Sequence, residues 1–303
     1  MASPVTTPEP APGFWVHNLD PFIFRFPEGW PLDGVRWYGT AYLAGFAVGW
    51  LLLLSYHKRG RSPLNPDQVS TLMFALVLGV LGGARLGYIL GYGFETNPEL
   101  LRNPLKILEV WKGGMSSHGG MIGVLLAVLW FWKRSKVRFW RLLDMAATLA
   151  PAGIFFGRIA NFINGELWGK TTDVRWAVIF QIRDAWGRMA FLEPRHPSQL
   201  YAAAMEGLLL LAWTQWSFWK RRLPEGQLVG EWMCAYAVVR IFGEIYRQPD
   251  DGVALICGLS RGQIYSVVLG LAGIATIFRA RKSGHPWTPP APPSESPSPS
   301  KPA

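Results

Sequence analysis

The chain has 303 residues, of which 50% are hydrophobic and only 17% charged, with 16 tryptophans and a formal net charge of +10. A soluble domain carries about 25% charged residues, so this composition excludes an ordinary water-soluble globule. Two isolated cysteines, Cys234 and Cys257, exclude a disulfide framework and offer no metal-ligand spacing, so they read as packing residues.

Residues 1–13 and 284–303 are rich in Pro, Ser and Ala and read as disordered ends. Between them lie seven apolar stretches, near residues 37–56, 71–92, 117–132, 143–162, 200–219, 229–245 and 264–278. A hydrocarbon core of about 30 Å needs about 20 such residues per helix. The third stretch is short and the sixth contains charges. The first is no cleavable signal peptide: no basic region precedes it, it is long, and no small-residue cleavage pattern follows.

Basic clusters follow alternate stretches: His57-Lys58-Arg59-Gly60-Arg61, Lys133-Arg134-Ser135-Lys136-Val137-Arg138, Lys220-Arg221-Arg222 and Arg279-Ala280-Arg281-Lys282. Seven alternating helices put all four on one side, which the positive-inside rule makes cytoplasmic. The fold class is therefore an all-α polytopic membrane protein of seven transmembrane helices, N-terminus outside and C-terminus cytoplasmic. The membrane domain spans residues 14–283. Topology accounts for most of the positive charge, and no nucleic-acid partner is expected.

One outward loop, residues 164–198, is long enough to fold as a small extracytoplasmic head. Its segment Arg175-Trp176-Ala177-Val178-Ile179-Phe180-Gln181-Ile182 has strand-like composition, and residues 188–195 read as turn and loop. No internal repeat is visible, which counts against inverted-repeat transporters. Nucleotide-type glycine loops, Gly-x-Ser-x-Gly elbows and His-Glu-x-x-His pairs are also absent from the sequence.

Four polar constellations remain. The first is Gly157-Arg158-Ile159-Ala160-Asn161-Phe162-Ile163-Asn164-Gly165-Glu166-Leu167-Trp168-Gly169, where the fourth stretch leaves the bilayer. Arg158 suits bidentate capture of phosphate or carboxylate, and Asn161 shares its helical face. Alternatively Arg158 snorkels to headgroups and Asn164-Gly165 forms a turn. The second is Gly113-Gly114-Met115-Ser116-Ser117-His118-Gly119-Gly120. Here His118 is either a proton-transfer group between close-approach glycines or one residue of a tight helix start.

The third is Tyr236, Arg240 and Glu244, spaced by four along the sixth stretch and extended by Arg247, Gln248, Pro249 and Asp250. Intramembrane charges default to function, with a structural Arg240–Glu244 ion pair as the alternative. The fourth is Arg195-His196-Pro197-Ser198-Gln199-Leu200-Tyr201, with Glu206 deeper, and it reads equally as a helix start capped by Ser198. All four converge on the outer half of the membrane. Arg85, in Gly82-Gly83-Ala84-Arg85-Leu86-Gly87-Tyr88, adds a third intramembrane cation, and Trp37-Tyr38-Gly39 opens the first stretch. Three arginines with few acids suit an anionic ligand, and a phospholipid headgroup is the natural one at this depth.

These blocks, in this order from about residue 37 to 279, resemble the signature blocks of the prolipoprotein diacylglyceryl transferase family. The thirteen-residue block is highly specific, and the His-Gly-Gly block alone would be weak. The resemblance implies a multi-pass enzyme of the bacterial cytoplasmic (inner) membrane with its active site toward the outer leaflet. It implies transfer of the diacylglyceryl group of phosphatidylglycerol to the lipobox cysteine of preprolipoproteins, forming a thioether and releasing glycerol phosphate. Besides membrane lipids, those two substrates are the expected partners, with neither cofactor nor metal.

Carried over position by position, the functional residues are Tyr38, His118, Arg158, Asn161, Glu166, Gly169, Tyr236, Arg240 and Glu244, with Arg85 and Asp144 also matching. His118, Arg240, Tyr236 and Glu244 are then the catalytic set. Arg158, Asn161, Glu166, Gly169, Tyr38 and Arg85 are the phosphatidylglycerol-binding set. Either His118 or Arg240 activates the substrate thiol. One departure stands out: family members commonly carry an acid directly after the tyrosine of the His-Pro-Ser-Gln-Leu-Tyr block, where this chain has Ala202. That acid's role is either absent or taken over by Glu206. A lipid or anion transporter and a structural assembly subunit are the competing function classes.

Overall fold

A computed structural model describes residues 6–7, 9–30, 32–93, 107–109, 114–183, 188–249 and 258–284. Asp250, Cys257, Gly113 and most of the two terminal segments lie outside the described residues. Seven helical rods run through the described residues. They are α1 (Trp37–Lys58), α2 (Pro66–Tyr88) running on into a π-helical turn (Ile89–Gly93), α3 (Ser117–Ser135) and α4 (Phe139–Ile163). A composite rod follows, made of α5 (Ser198–Ala202), a π-helix (Ala203–Leu209) and α6 (Leu210–Lys220), and then α7 (Gln227–Tyr246) and α8 (Arg261–Ser283).

Each expected apolar stretch falls inside one rod. Four helices, Trp37–Lys58, Pro66–Gly91, Phe139–Ile163 and Arg261–Ser283, are long and apolar enough to cross a membrane by length and composition. Leu43, Phe74, Leu90, Met121, Val238 and Phe278 are all more than half exposed, an exterior suited to hydrocarbon rather than water. This is the pattern of a polytopic membrane protein.

The helix starts follow local chemistry. Asn65 and Ser260 each form a reciprocal capping box with the glutamine three residues on, and the Ser116 side chain accepts from the Gly119 N–H. The start of α7 has no cap of its own. Its orphan donors go instead to α4, where buried Asp144 accepts from the Gly226 N–H at 2.8 Å and the Val229 N–H at 2.9 Å.

Glycines set how closely the rods approach. Gly79, Gly83 and Gly87 of α2 face Gly119 and Gly123 of α3, and a Cβ built on Gly123 would collide with the Gly79 carbonyl. Spacing by four puts each set on one face, so the backbones touch as in small-residue membrane interfaces. Gly230 of α7 and Gly273 of α8 meet in the same way.

The apolar core lies at one end of the bundle. It joins Leu53 and Tyr56 of α1, Val69, Leu72 and Met73 of α2, Val128 and Phe131 of α3, Leu142 and Met145 of α4, and Phe218 and Leu228. The basic turns gather at that same end. Arg61 donates to the Phe218 and Trp219 carbonyls at 2.6 and 2.7 Å, Arg138 pairs with Glu225 at 3.4 Å, and Arg279 stacks on Trp140.

Short strands form a head at the other end. They are β1 (Thr6–Thr7), β2 (Trp15–Val16), β3 (Phe22–Arg25), β4 (Gly34–Arg36), β5 (Val178–Ile179), β6 (Gln181–Arg183) and β7 (Met189–Leu192). β1 and β6 flank β7, β2 pairs in parallel with β5, and the β3–β4 hairpin leads directly into α1. Residues 1–13, expected to be disordered, thus contribute a strand, with Thr6 and Thr7 pairing with Leu192 and Phe191. The partner strand lies far along the chain, so local composition carries no sign of the pairing. The head is accordingly built from the N-terminal segment as well as from residues 164–198.

His17 seats the head on α4. Its Nε2–H donates to the Phe162 carbonyl at 2.7 Å, and its ring packs on Phe162 and Phe180. Burial holds its pKa below the ordinary 6.5, with the Phe162 carbonyl opposing the shift. A histidine kept neutral by folding contributes stability that is full above 6.5 and is lost as pH falls below it.

Two expectations follow. Thermal melting in detergent should show a midpoint that drops as pH falls below about 6.5, and His17→Gln should remove part of that drop; an unchanged pH profile would contradict the seating role. Gly123→Ala should lower Tm through overpacking of about 1–3 kcal/mol. Gly82→Ala, whose methyl meets nothing within 4 Å, should melt like the wild type, and equal melting of the two variants would contradict the α2–α3 contact.

Candidate functional site

The polar side chains occupy the bundle end away from the apolar core. α4 brings Arg158 and Asn161 on one face near its C-terminus, the π-helix brings Glu206, and α7 brings Tyr236, Arg240 and Glu244 on one stripe. Glu206 is fully buried and joins the other two elements. Its Oε2 accepts from Arg158 Nη2 at 3.1 Å, and its Oε1 accepts from Arg240 Nη1 at 3.2 Å.

The network continues outward along α7. Arg240 Nη2 pairs with Glu244 Oε1 at 2.5 Å, and Glu244 Oε2 accepts from the Ser260 hydroxyl at 2.9 Å. Arg247 Nε lies 4.0 Å from Glu244 Oε1. Tyr236 stands one helical turn before Arg240 on the same stripe of α7. Each guanidinium thus has a charged partner, as burial of a cation requires. The Arg158 and Arg240 side chains remain 18% and 15% exposed, so both can still be reached by an anion.

The loop after α4 closes the site from the side. Asn161 Nδ2 donates to Glu166 Oε1 at 2.7 Å, Gln199 Nε2 donates to the Glu166 carbonyl at 2.6 Å, and the Ser198 hydroxyl donates to the Leu167 carbonyl at 3.0 Å. Gly165 and Leu167 both take positive φ, +67° and +58°, which turns the chain sharply back. Gly169 then passes between the end of α7 and the start of α5. A Cβ there would lie 2.6 Å from the His196 carbonyl and 2.7 Å from the Tyr246 carbonyl, so no larger residue fits. Its own N–H donates to the His196 carbonyl at 2.9 Å, and its carbonyl accepts from Arg195 at 3.0 Å.

The other expected residues are placed as follows. Tyr38 sits in the first turn of α1 with its ring 5.4 Å from that of Tyr42, which is electrostatically coupled to Glu166. Arg85 directs Nε to the Ile107 carbonyl at 2.8 Å and Nη1 to the Gly114 carbonyl at 3.0 Å, which ties the α2–α3 connection down. His118 lies in the first turn of α3, and its side chain falls outside the described residues. His196 Nδ1 is 3.1 Å from the Tyr201 hydroxyl, which also accepts from Trp176 at 2.6 Å, and burial lowers the His196 pKa. Cys234 packs between α7 and α8 with its thiol toward the Gly270 carbonyl.

Two contributions are larger than the sequence suggested. Glu206 appeared only as a stand-in for the acid absent at Ala202, whereas it bridges both arginines. The signal was available, since it is the only acid in its apolar stretch. Asp144 caps α7 from α4, a tertiary contact that no local pattern marks.

Comparison with known proteins covers the segment that carries these residues. The family described as prolipoprotein diacylglyceryl transferase matches residues 28–279. Proteins named phosphatidylglycerol–prolipoprotein diacylglyceryl transferase are similar over most of the chain. The Rhizobium meliloti protein is 40% identical over 276 residues, covering 88% of this chain and 94% of its own. The Aeromonas salmonicida protein is 41% identical over 272 residues, covering 89% and 94%. The Vibrio vulnificus protein is 42% identical over 270 residues, covering 88% and 94%. With a family match over most of its length and an arginine–carboxylate network built from the matching blocks, the chain belongs to the prolipoprotein diacylglyceryl transferase family.

Proposed function

We propose that Arg158 and Arg240 hold the headgroup phosphate of phosphatidylglycerol in the outer half of a seven-span bundle of the bacterial inner membrane. The chain is a transferase. It moves the diacylglyceryl group of phosphatidylglycerol to the cysteine thiol of a prolipoprotein, the first step of lipoprotein maturation. The single observation that carries the headgroup assignment is the pair of partly buried guanidiniums on facing helices, already bridged by one fully buried two-oxygen anion, Glu206. The outward orientation is supported by the basic turns, which meet at the opposite end beside the apolar core.

The chemistry follows from charge. The substrate sulfur attacks the glycerol carbon that bears the phosphate, a C–S bond forms, and the C–O bond to phosphate breaks. The departing glycerol phosphate gains a negative charge on the oxygen that it takes away. Guanidiniums fixed in a water-poor site stabilise that charge as it develops. Arg240, held by Glu244 and Glu206, with Glu244 in turn bonded by the Ser260 hydroxyl, is the group placed on the leaving phosphate, and Arg158 with Asn161 and Tyr236 fixes the rest of the headgroup.

Only the thiolate is nucleophilic enough, and a free cysteine has a pKa near 8.5. Either His118 accepts the thiol proton or Arg240 favours the thiolate by its charge. Tyr38 flanks the approach from α1 and Glu166 from the loop after α4, Gly169 closes the outer rim, and Arg85 serves the lipid through the connection that it anchors. The nucleophile comes from the lipobox segment of the substrate.

Vesicles containing the protein, labelled phosphatidylglycerol and a lipobox peptide should yield labelled peptide. No label should pass to a peptide whose cysteine is replaced by serine; label there would overturn thioether transfer. Arg240→Lys should reduce kcat by about 100-fold, the loss typical of removing one placed donor from a developing anion. His118→Gln, followed against pH, assigns the proton: full activity at every pH gives thiol activation to Arg240. Lipid movement across the vesicle with no peptide labelling would point to a transporter.

A further inference from the structure

Glu206 reaches its position through an irregular rod. Residues Ala203–Leu209 form a π-helix between α5 and α6, and each π-turn takes in one residue more than an α-turn. Gly207 lies directly on α4, where a Cβ would stand 2.7 Å from Phe155 Cα, three residues before Arg158. On the other side, a Cβ on Gly243 of α7 would lie 3.8 Å from Glu206 Oε1. The wide turn and the close approach at Gly207 let one carboxylate enter between α4 and α7, with no exposure at all, and Gly243 borders it at ordinary contact distance. Its two oxygens then divide between two cations on different helices, at 3.1 and 3.2 Å.

We propose that Glu206 is a positioning residue for the transfer reaction: it holds Arg158 and Arg240 at the separation that a single two-oxygen anion can bridge. The proposal rests on the headgroup reading above. A phosphate diester also presents two free oxygens, so it meets guanidiniums already spaced and aimed for it. Without the carboxylate, two like charges at low dielectric repel each other and seek separate partners. The lipid phosphate would still be attracted, but it would have to draw the arginines into place itself. Preorganisation therefore shows in turnover more than in binding.

The test uses full-length enzyme in vesicles of phosphatidylglycerol with a lipobox peptide, measuring kcat, KM for the lipid and Tm. Glu206→Gln keeps the shape and removes the charge. It should lower kcat by about tenfold or more with KM for the lipid unchanged or lower. Glu206→Asp keeps the charge on a shorter stem that cannot span both arginines, so it should recover part of kcat. If the glutamine variant does not fold, a folded aspartate variant with reduced kcat carries the proposal. A folded glutamine variant whose kcat stays within about threefold of wild type overturns it, whatever happens to Tm or KM, as does an aspartate variant with unreduced kcat where the glutamine variant does not fold, because Glu206 is then a structural counter-ion or a direct lipid contact. Arg158→Gln and Arg240→Gln in the same assay separate the two claims. Full activity in both removes the headgroup site itself; loss in both alongside an active Glu206→Gln removes only the positioning role.

Discussion

Two guanidiniums inside a membrane-facing bundle need partners, and that requirement organises the structure. Arg158 and Arg240 stand on α4 and α7, and the carboxylate of Glu206 satisfies both at once. An isolated cation at this depth is costly, and a paired one is tolerable. Under the proposed function the pairing must also leave room for exchange with an anionic headgroup. A carboxylate bridge is compatible with both demands, since it holds the arginines while their side chains stay 18% and 15% exposed.

The rest of the fold keeps those three elements in register. Asp144 caps α7 from α4 and so couples the start of one arginine-bearing helix to the body of the other. Close glycine contacts bring α2 against α3 and α7 against α8 without leaving gaps for lipid. At the head end of the bundle, Gly169 ties the end of α7 to the start of the composite rod, and the Asn161–Glu166 bond ties the loop back to α4. Large apolar residues fill the opposite end, where the buried polar groups find local partners: Tyr56, Thr148 and Gln215 bond one another, and Asp144 takes the Gly226 and Val229 N–H groups. Packing is thus apolar and tight at the basic end and polar and networked at the reactive end.

Much of this was legible in the chain. The seven apolar stretches mark seven helical rods among the described residues, four of them long and apolar enough to cross a membrane, because hydropathy over about 20 residues reports on what a helix can bury in lipid. The four-residue spacing of Tyr236, Arg240 and Glu244 identified a stripe, and the structure extends that stripe through Ser260 and Arg247. What escaped depends on partners distant in sequence. β1 exists because Phe191 and Leu192 pair with it. Asp144 acts on Gly226 and Val229, some eighty residues away. Glu206 carries a signal as the only acid of its apolar stretch, but its place between two arginines depends on the π-helix, of which ordinary helical spacing gives no warning. Arg85 shows the opposite case: an intramembrane cation marked from sequence as a ligand residue, it also anchors the backbone at residues 107 and 114.

The central claim is that one phosphate is held between Arg158 and Arg240. An experimental structure of the full-length protein with phosphatidylglycerol bound tests it most directly. The account predicts phosphate oxygens about 2.7–2.9 Å from both guanidiniums, the range of charge-assisted hydrogen bonds, with the Glu206 contacts lengthened or exchanged. A headgroup seated on other cations, with the Arg158–Glu206–Arg240 bridge unchanged, would contradict it.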